Sequence, residues 1–159
     1  MNDDKYYIKE INYLNCDDYR RMNSVCRFWF SEPKTLNLTS PSMPYPFRFK
    51  KWVDFYQKNN ESIFSYAVQR DDWIIGHGSI QIKKKIGHIF HVIIDPGYRR
   101  KGLASKLIKE LKEKVHQKGV KEITLNVDRK NLAAFHLYEK LGFLKDMDVS
   151  KNTLRMKTK

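Results

Sequence analysis

Arg99, Arg100 and Lys101 run directly into Gly102, between an apolar run (Ile89 to Ile94) and an amphipathic stretch from Leu103 to about Lys118. Strand, turn and helix in that order place a helix start just behind the basic triplet. The first backbone N–H groups of a helix have no partner inside it, and the helix dipole is positive there. A loop that turns those groups toward one point, with a glycine allowing close approach, can cradle a phosphate. The three cations add formal charge at the same place. Gly97 and Gly102 have the glycine spacing of a nucleotide-triphosphatase loop, but Leu103-Ala104 stand where that loop needs Lys-Ser or Lys-Thr, which excludes it. A solvated basic turn is the simpler reading; against it, cations sit unfavourably at the positive end of a helix dipole.

Arg99-x-x-Gly102-x-Ala104, preceded by Asp95-Pro96 and a β run, resembles the acyl-CoA pyrophosphate loop of the GNAT superfamily of N-acyltransferases. A second stretch is similar to the family's helix after its fifth strand: Asn131, Ala134, Tyr138 and then Gly142-Phe143. Taken alone it reads as an amphipathic helix with a tyrosine on its apolar stripe. The likeness covers residues 62 to 147 well, and the first sixty residues in element order only.

The resemblance implies an α/β fold: a mixed sheet with central splayed parallel strands, flanked by helices. It implies acetyl-CoA as cosubstrate and direct transfer of the acetyl group to a primary amine of a small molecule, peptide or protein; independently, no Cys, His and carboxylate spacing suggests a metal site. Pantetheine would lie along Val92, Ile93 and Ile94, hydrogen-bonded like an added strand. The pyrophosphate would meet the backbone of Arg99, Arg100, Lys101, Gly102, Leu103, Ala104 and Ser105. Asn131 and Tyr138 would line the other side, with Tyr138 donating to the departing thiolate. Many relatives carry a general base, a Glu, on the strand before the loop. Here Ile86 to Ile94 has no Glu, but it has His88 and His91. Strand alternation sends these two to opposite faces unless a bulge intervenes. His91 is the candidate base, with water-mediated deprotonation as the alternative.

The elements that must position these residues follow from periodicity. Lys5 to Tyr13 reads as a strand, then comes a helix capped by Asn15 or Asp17 with Tyr19, Met22, Cys26 and Trp29-Phe30 as its core stripe. Residues 33 to 46 hold four of the five prolines and read as a long irregular stretch of functional character. Phe47 to Lys58 reads as a helix, Ser62–Gln69 and Trp73–Ile82 as a hairpin, and Gly76 and Gly78 as marks of a bulge or close backbone approach. Strands at 86–94 and 121–127 enclose the helix that begins at Leu103. A short helix over 131–141 and strands at 143–147 and 153–157 complete the order β-α-α-β-β-β-α-β-α-β-β. The strand–helix–strand unit requires a parallel pair with a right-handed crossover.

The 159 residues fit one domain, 1–159, with 41% hydrophobic and 13% aromatic content, which argues against disorder. No apolar run approaches the roughly 20 residues that span a membrane. The acidic start Met1-Asn2-Asp3-Asp4 is unlike a secretory signal. Cys16 and Cys26 on one helix lie roughly 15 Å apart, too far for a disulfide, and a reducing cytoplasm is the simplest compartment. The net charge is +13, and Arg99 to Lys121 holds nine Lys and Arg against two Glu, a field suited to a polyphosphorylated ligand. The mildly basic, aromatic segment 31–58 disfavours a polycationic acceptor. A basic nucleic-acid-binding module and a non-catalytic acyl-CoA-binding protein are the competing readings. The first lacks any recognisable helix-turn-helix, zinc or RNA-binding motif, and the second sits poorly with an intact Tyr138. A homodimer is compatible with the chain.

Overall fold

A computed structural model describes residues 5–158; the acidic start at residues 1–4 lies outside the described residues. The chain runs β1 (Tyr6–Ile11), α1 (Cys16–Trp29), α2 (Pro33–Thr39), α3 (Phe49–Lys58), then the meander β2 (Ile63–Arg70), β3 (Trp73–Lys83), β4 (Ile86–Ile94). A 3₁₀ turn at Pro96–Tyr98 leads into α4 (Leu103–His116), β5 (Glu122–Asp128), α5 (Leu132–Lys140), β6 (Leu144–Asp148) and β7 (Thr153–Lys157). The strands form one mixed sheet in the order β1-β2-β3-β4-β5-β7-β6. Among the described residues only β4 and β5 run parallel, and every other neighbouring pair of strands is antiparallel.

One expectation is corrected. Pro33–Thr39 is a helix, where the clustered prolines read as irregular chain. Pro33 stands in its first turn, where a fixed φ suits the helix and a missing N–H leaves nothing unpaired. The irregular backbone is confined to residues 40–48.

Each face of the sheet carries its own core. α4 lays Leu107, Ile108, Leu111 and Val115 on Ile80, Ile89, Ile123 and Leu125, with Tyr138 and Phe143 at the edge. Gly78 allows that helix in: a Cβ there would lie 3.0 Å from Leu107 Cδ2. On the other face, Met22, Cys26, Trp29 and Phe30 of the first helical segment meet Trp52, Tyr56, Ala67 and Ile93. Asn15 caps α1 by accepting from Asp17 N and Asp18 N. Both cysteines lie on α1 as free thiols, Cys16 exposed and Cys26 buried. Among the described residues, no helix is long and apolar enough to cross a membrane.

Candidate active site

The parallel pairing of β4 and β5 stops at Ile89 and Leu125, yet β4 continues to Ile94 and β5 to Asp128. The two strands therefore part into a cleft. β4 also bulges. Its register with β3 passes from His77↔Ile93 to Ser79↔Phe90, so His91 and Val92 together face Gly78. His91 takes the left-handed φ of +52°, a conformation that side chains with a Cβ adopt rarely. The bulge resets the alternation. Phe90 and His91 both pack on Phe55 and Tyr56, on the α3 face. His88, two residues before Phe90, belongs to that face too. Both histidines of β4 thus look the same way, contrary to simple alternation.

A buried chain of hydrogen bonds pins the bulge. His77 Nδ1 lies 3.0 Å from the His91 carbonyl oxygen, and Tyr13 Oη lies 3.0 Å from His77 Nε2. Trp52 Nε1 donates to Tyr13 Oη at 2.8 Å. A carbonyl can only accept, so Nδ1 carries the His77 proton and Nε2 accepts from Tyr13. Burial lowers the His77 pKa to about 4, so the ring is neutral. In a planar trans peptide the C=O and the following N–H point opposite ways. The bond to His77 therefore turns the Val92 N–H away from that ring. Asp95 N donates to Ile75 O, so by alternation Val92 and Ile94 direct their backbone groups away from β3, toward the cleft.

The candidate base has a closed surrounding. His91 Nε2 meets Ser40 Oγ at 2.8 Å and Nδ1 meets Tyr56 Oη at 2.8 Å, while the ring stacks on Trp52 with centroids 4.2 Å apart. Tyr56 passes the chain on to Ser79 and Ser65. Burial above all, and then His77, hold the His91 pKa well below its usual value. His88 differs: it is half-buried, and its Nδ1 meets Thr124 Oγ1 of β5 at 2.8 Å.

The basic loop runs from the 3₁₀ turn at Pro96–Tyr98 into the start of α4. Asp95 accepts from Gly97 N and from Trp29 Nε1, tying the turn to α1. Arg99 Nε donates to Ile94 O at 3.1 Å. Gly102 takes φ +73° as the N-cap of α4, with no side-chain cap and no acidic residue in the first turn. A Cβ on Gly102 would meet nothing within 4 Å. Backbone conformation, rather than crowding within the protein, selects glycine there, and the space beside it is open.

Two cavities join around the cleft. The larger, about 830 Å³, is lined by Val92 to Ile94, Arg99, Arg100, Ala104, Asn131 and Tyr138. The smaller, about 490 Å³, lies between α2 with Ser40 and Ser42 on one side and His88, His91 and the β6–β7 turn on the other. Leu38, Thr39, Val92, Asn126, Asp128 and Tyr138 line both. Of the expected cofactor-binding residues, Val92, Ile93, Ile94, Arg99, Arg100, Ala104, Asn131 and Tyr138 border the larger cavity; Lys101, Gly102, Leu103 and Ser105 belong to the adjoining loop and first turn of α4. Tyr138 is 8% exposed, its hydroxyl has no hydrogen-bond partner among the described residues, and burial raises its pKa to about 12. Asn131 caps α5 by accepting from Ala134 N at 3.2 Å. Thr39, Ser40, Asn126 and the His77 chain were missed from the sequence. Their signal was the polar end of the 33–46 stretch and the alternation of Thr124, Asn126 and Asp128 on one strand face. Among the described residues, no cluster of His, Cys, Asp and Glu could hold a metal ion.

The model of the Acetyltransferase (GNAT) family matches residues 28–143. Similar curated proteins include a [Ribosomal protein bS18]-alanine N-acetyltransferase of Salmonella typhimurium, 29% identical over 56% of this chain and 60% of its own length. A glucosamine 6-phosphate N-acetyltransferase of Trypanosoma brucei brucei is 39% identical over 44% of this chain and 50% of its own. The chain thus spans about 60% of the length of the first of these relatives. Among solved structures, the PaiA N-acetyltransferase of Thermoplasma acidophilum in complex with coenzyme A shares the fold at TM-score 0.73 and 19% identity, covering 98% of this chain and 99% of that one. With a family model spanning residues 28–143, and with the split strands, bulge and glycine-capped helix in place, the chain belongs to the acetyltransferase (GNAT) family.

Proposed function

We propose that the protein is an N-acetyltransferase that moves an acetyl group from acetyl-CoA to a primary amine by direct attack. One observation carries this reading: the cleft that opens beyond Ile89 and Leu125 joins the uncapped start of α4 to a separate chamber. The residues present suit CoA. The free N–H groups at the start of α4, with Arg99, Arg100 and Lys101, receive the pyrophosphate. Backbone groups of Val92 and Ile94 receive pantetheine as an added strand would. Asn131 shapes that wall through its cap on α5.

The thioester then sits where the two cavities meet, beside Tyr138 and the bulge. The Val92 N–H is the donor for the tetrahedral oxyanion, held in place before the reaction begins. Tyr138 donates a hydrogen bond to the departing thiolate. Its pKa of about 12 lies well above the roughly 8.5 of a thiol, so the proton is shared rather than surrendered. The amine enters through the smaller chamber, and both imidazoles of β4 border its path. The cytoplasm, where thiols stay reduced, is the compartment this reading expects.

Acetyl-CoA-dependent thiol release across a panel of amines tests it. The panel takes its arms from the relatives' named acceptors: peptides with an N-terminal alanine, and glucosamine 6-phosphate. Polyamines form the control. Turnover with at least one arm is expected; thiol release no faster than hydrolysis in every arm contradicts the enzyme reading.

A further inference from the structure

We infer that His88, oriented by Thr124, is the group that takes the proton from the attacking amine, and that His91 is a positioning residue. The inference rests on the acetyl-transfer reading above. The two imidazoles share one face of β4 because of the bulge, and both border the 490 Å³ chamber. They differ in what their nitrogens are doing. Each neutral imidazole has one N–H and one lone pair. In His91 both are committed, to Ser40 and to Tyr56, and the stacked Trp52 holds the ring. A proton reaching His91 would have to break that closed chain or pass through a serine hydroxyl. In His88 only Nδ1 is engaged, by Thr124 Oγ1, and Nε2 has no partner among the described residues. The Thr124 hydroxyl can accept as well as donate, and in the tautomer in which Nδ1–H donates to it the Nε2 lone pair is available to the chamber.

The position suits the task. His88 and Thr124 form the rung just before the last paired residues, Ile89 and Leu125, so the imidazole stands at the root of the cleft. Thr124, Asn126 and Asp128 share a face of β5 by alternation, and Asn126 and Asp128 border both cavities. Asp128 is the one carboxylate among the chamber's lining residues. Its Oδ1 accepts from Lys130 N in the turn toward α5, which draws that oxygen toward the turn.

The amine lone pair forms the C–N bond, and the carbonyl π pair moves to oxygen. His88 Nε2 takes the N–H proton. The oxyanion then re-forms the carbonyl, and the C–S bond breaks with its pair leaving on sulfur. The thiolate, hydrogen-bonded by Tyr138, gains a proton from solvent as His88 gives its own back. The products are an amide and CoA.

Burial first, then Arg155, then Lys83 hold the His88 pKa below its ordinary value, so at neutral pH the base is in its proton-accepting form. The charged groups around it are Lys83 on β3, Glu122 and Asp128 on β5, and Arg155 and Lys157 on β7. Lys157 is occupied by Glu122 and Asp146, and Arg155 Nε donates to Asn126. The acidic limb of the kcat/KM profile should therefore lie below about pH 6.5, the ordinary histidine value. Removing a nearby cation favours protonated His88 and moves that limb up in pH.

The experiment compares wild type with His88→Asn, His91→Asn, Asp128→Asn and Lys83→Gln. It uses the best acceptor found and records pH profiles of kcat/KM alongside the KM for acetyl-CoA and the melting temperature. His88→Asn keeps a donor for Thr124 and removes Nε2. It should lower kcat/KM at pH 7 by about 100-fold or more, abolish the acidic limb and change the acetyl-CoA KM by less than about threefold, with rate recovering at alkaline pH as the free amine accumulates. Lys83→Gln, at an exposed strand end, should keep the fold and shift the limb upward. His88→Asn turning over within about threefold of wild type, with the limb intact, overturns the inference; so does a limb that vanishes in His91→Asn or Asp128→Asn but survives in His88→Asn. If His88→Asn fails to fold, an unmoved limb in Lys83→Gln decides against it. A wild type inactive on every amine defeats the enzyme reading itself, which is a different result.

Discussion

His77 Nδ1 donates to the carbonyl oxygen of His91 across 3.0 Å, and that bond fixes the peptide on which the bulge turns. His77 lies wholly inside the protein, between the Tyr13 hydroxyl and the bulged strand. Its own position is set by Trp52 through Tyr13. Three side chains from three segments thus orient one backbone N–H, that of Val92, without touching a ligand.

The pin is separable from mere packing. His77→Leu leaves the His91 carbonyl without its donor and the Tyr13 O–H without its acceptor, while Tyr13 Oη still accepts from Trp52 Nε1; each lost partner costs about 1–3 kcal/mol. His77→Asn keeps a short donor at the Nδ1 position. Steady-state kinetics should show kcat lower in the Leu variant than in the Asn variant by about tenfold or more, with the acetyl-CoA KM close to wild type in both. Equal kcat values in two equally folded variants would mean that the carbonyl does not need its donor.

Gly102 answers two demands. Its φ of +73° costs other residues about 1 kcal/mol, and the open space at its Cβ position faces the helix start. Gly102→Ala should therefore lower stability slightly and weaken CoA binding. Gly102→Glu, adding bulk and like charge, should weaken CoA binding by well over tenfold, or about 1.4 kcal/mol, in a folded protein. Calorimetric titration with CoA checks both; unchanged affinity in the Glu variant would move the pyrophosphate elsewhere.

Much of this was legible because local rules and the fold agree. Asp95-Pro96 and Gly102 mark the turn, and α4 keeps its apolar period from Leu103 to Val115. The spacing from Asn131 to Ala134 is a helix cap, N-cap oxygen to backbone N–H. Pro33 misled in company: one proline in a helix's first turn is a start signal, but three more within thirteen residues masked it. The bulge at His91 was illegible for a different reason. His91 enters the left-handed region more readily than most residues but still rarely, and the partner strand and the buried His77 are what hold it there. Pairings such as Tyr13 with His77, 64 residues apart, leave no local trace.

Tyr138 separates an enzyme from a binder. Burial keeps its hydroxyl protonated to about pH 12, and no described residue competes for it. Tyr138→Phe should lower kcat by about 10- to 100-fold, change the acetyl-CoA KM by less than about threefold and leave the melting temperature near wild type. That pattern marks an interaction made mainly in the transition state. Wild-type turnover in the Phe variant would reduce Tyr138 to a member of the apolar core.

Thermal unfolding with and without ligand decides whether the cleft between β4 and β5 holds acyl-CoA. Anything that binds only the native state raises the melting temperature, by about 2.7 kcal/mol of added stability at a hundredfold excess over Kd. Acetyl-CoA and CoA should each give a clear upward shift that shrinks as salt rises, since phosphate contacts carry much of the affinity. Pantetheine, which lacks the phosphates, should give far less at the same concentration. No shift at millimolar acetyl-CoA, or an equal shift with pantetheine, would contradict the assignment of the cleft and its basic loop.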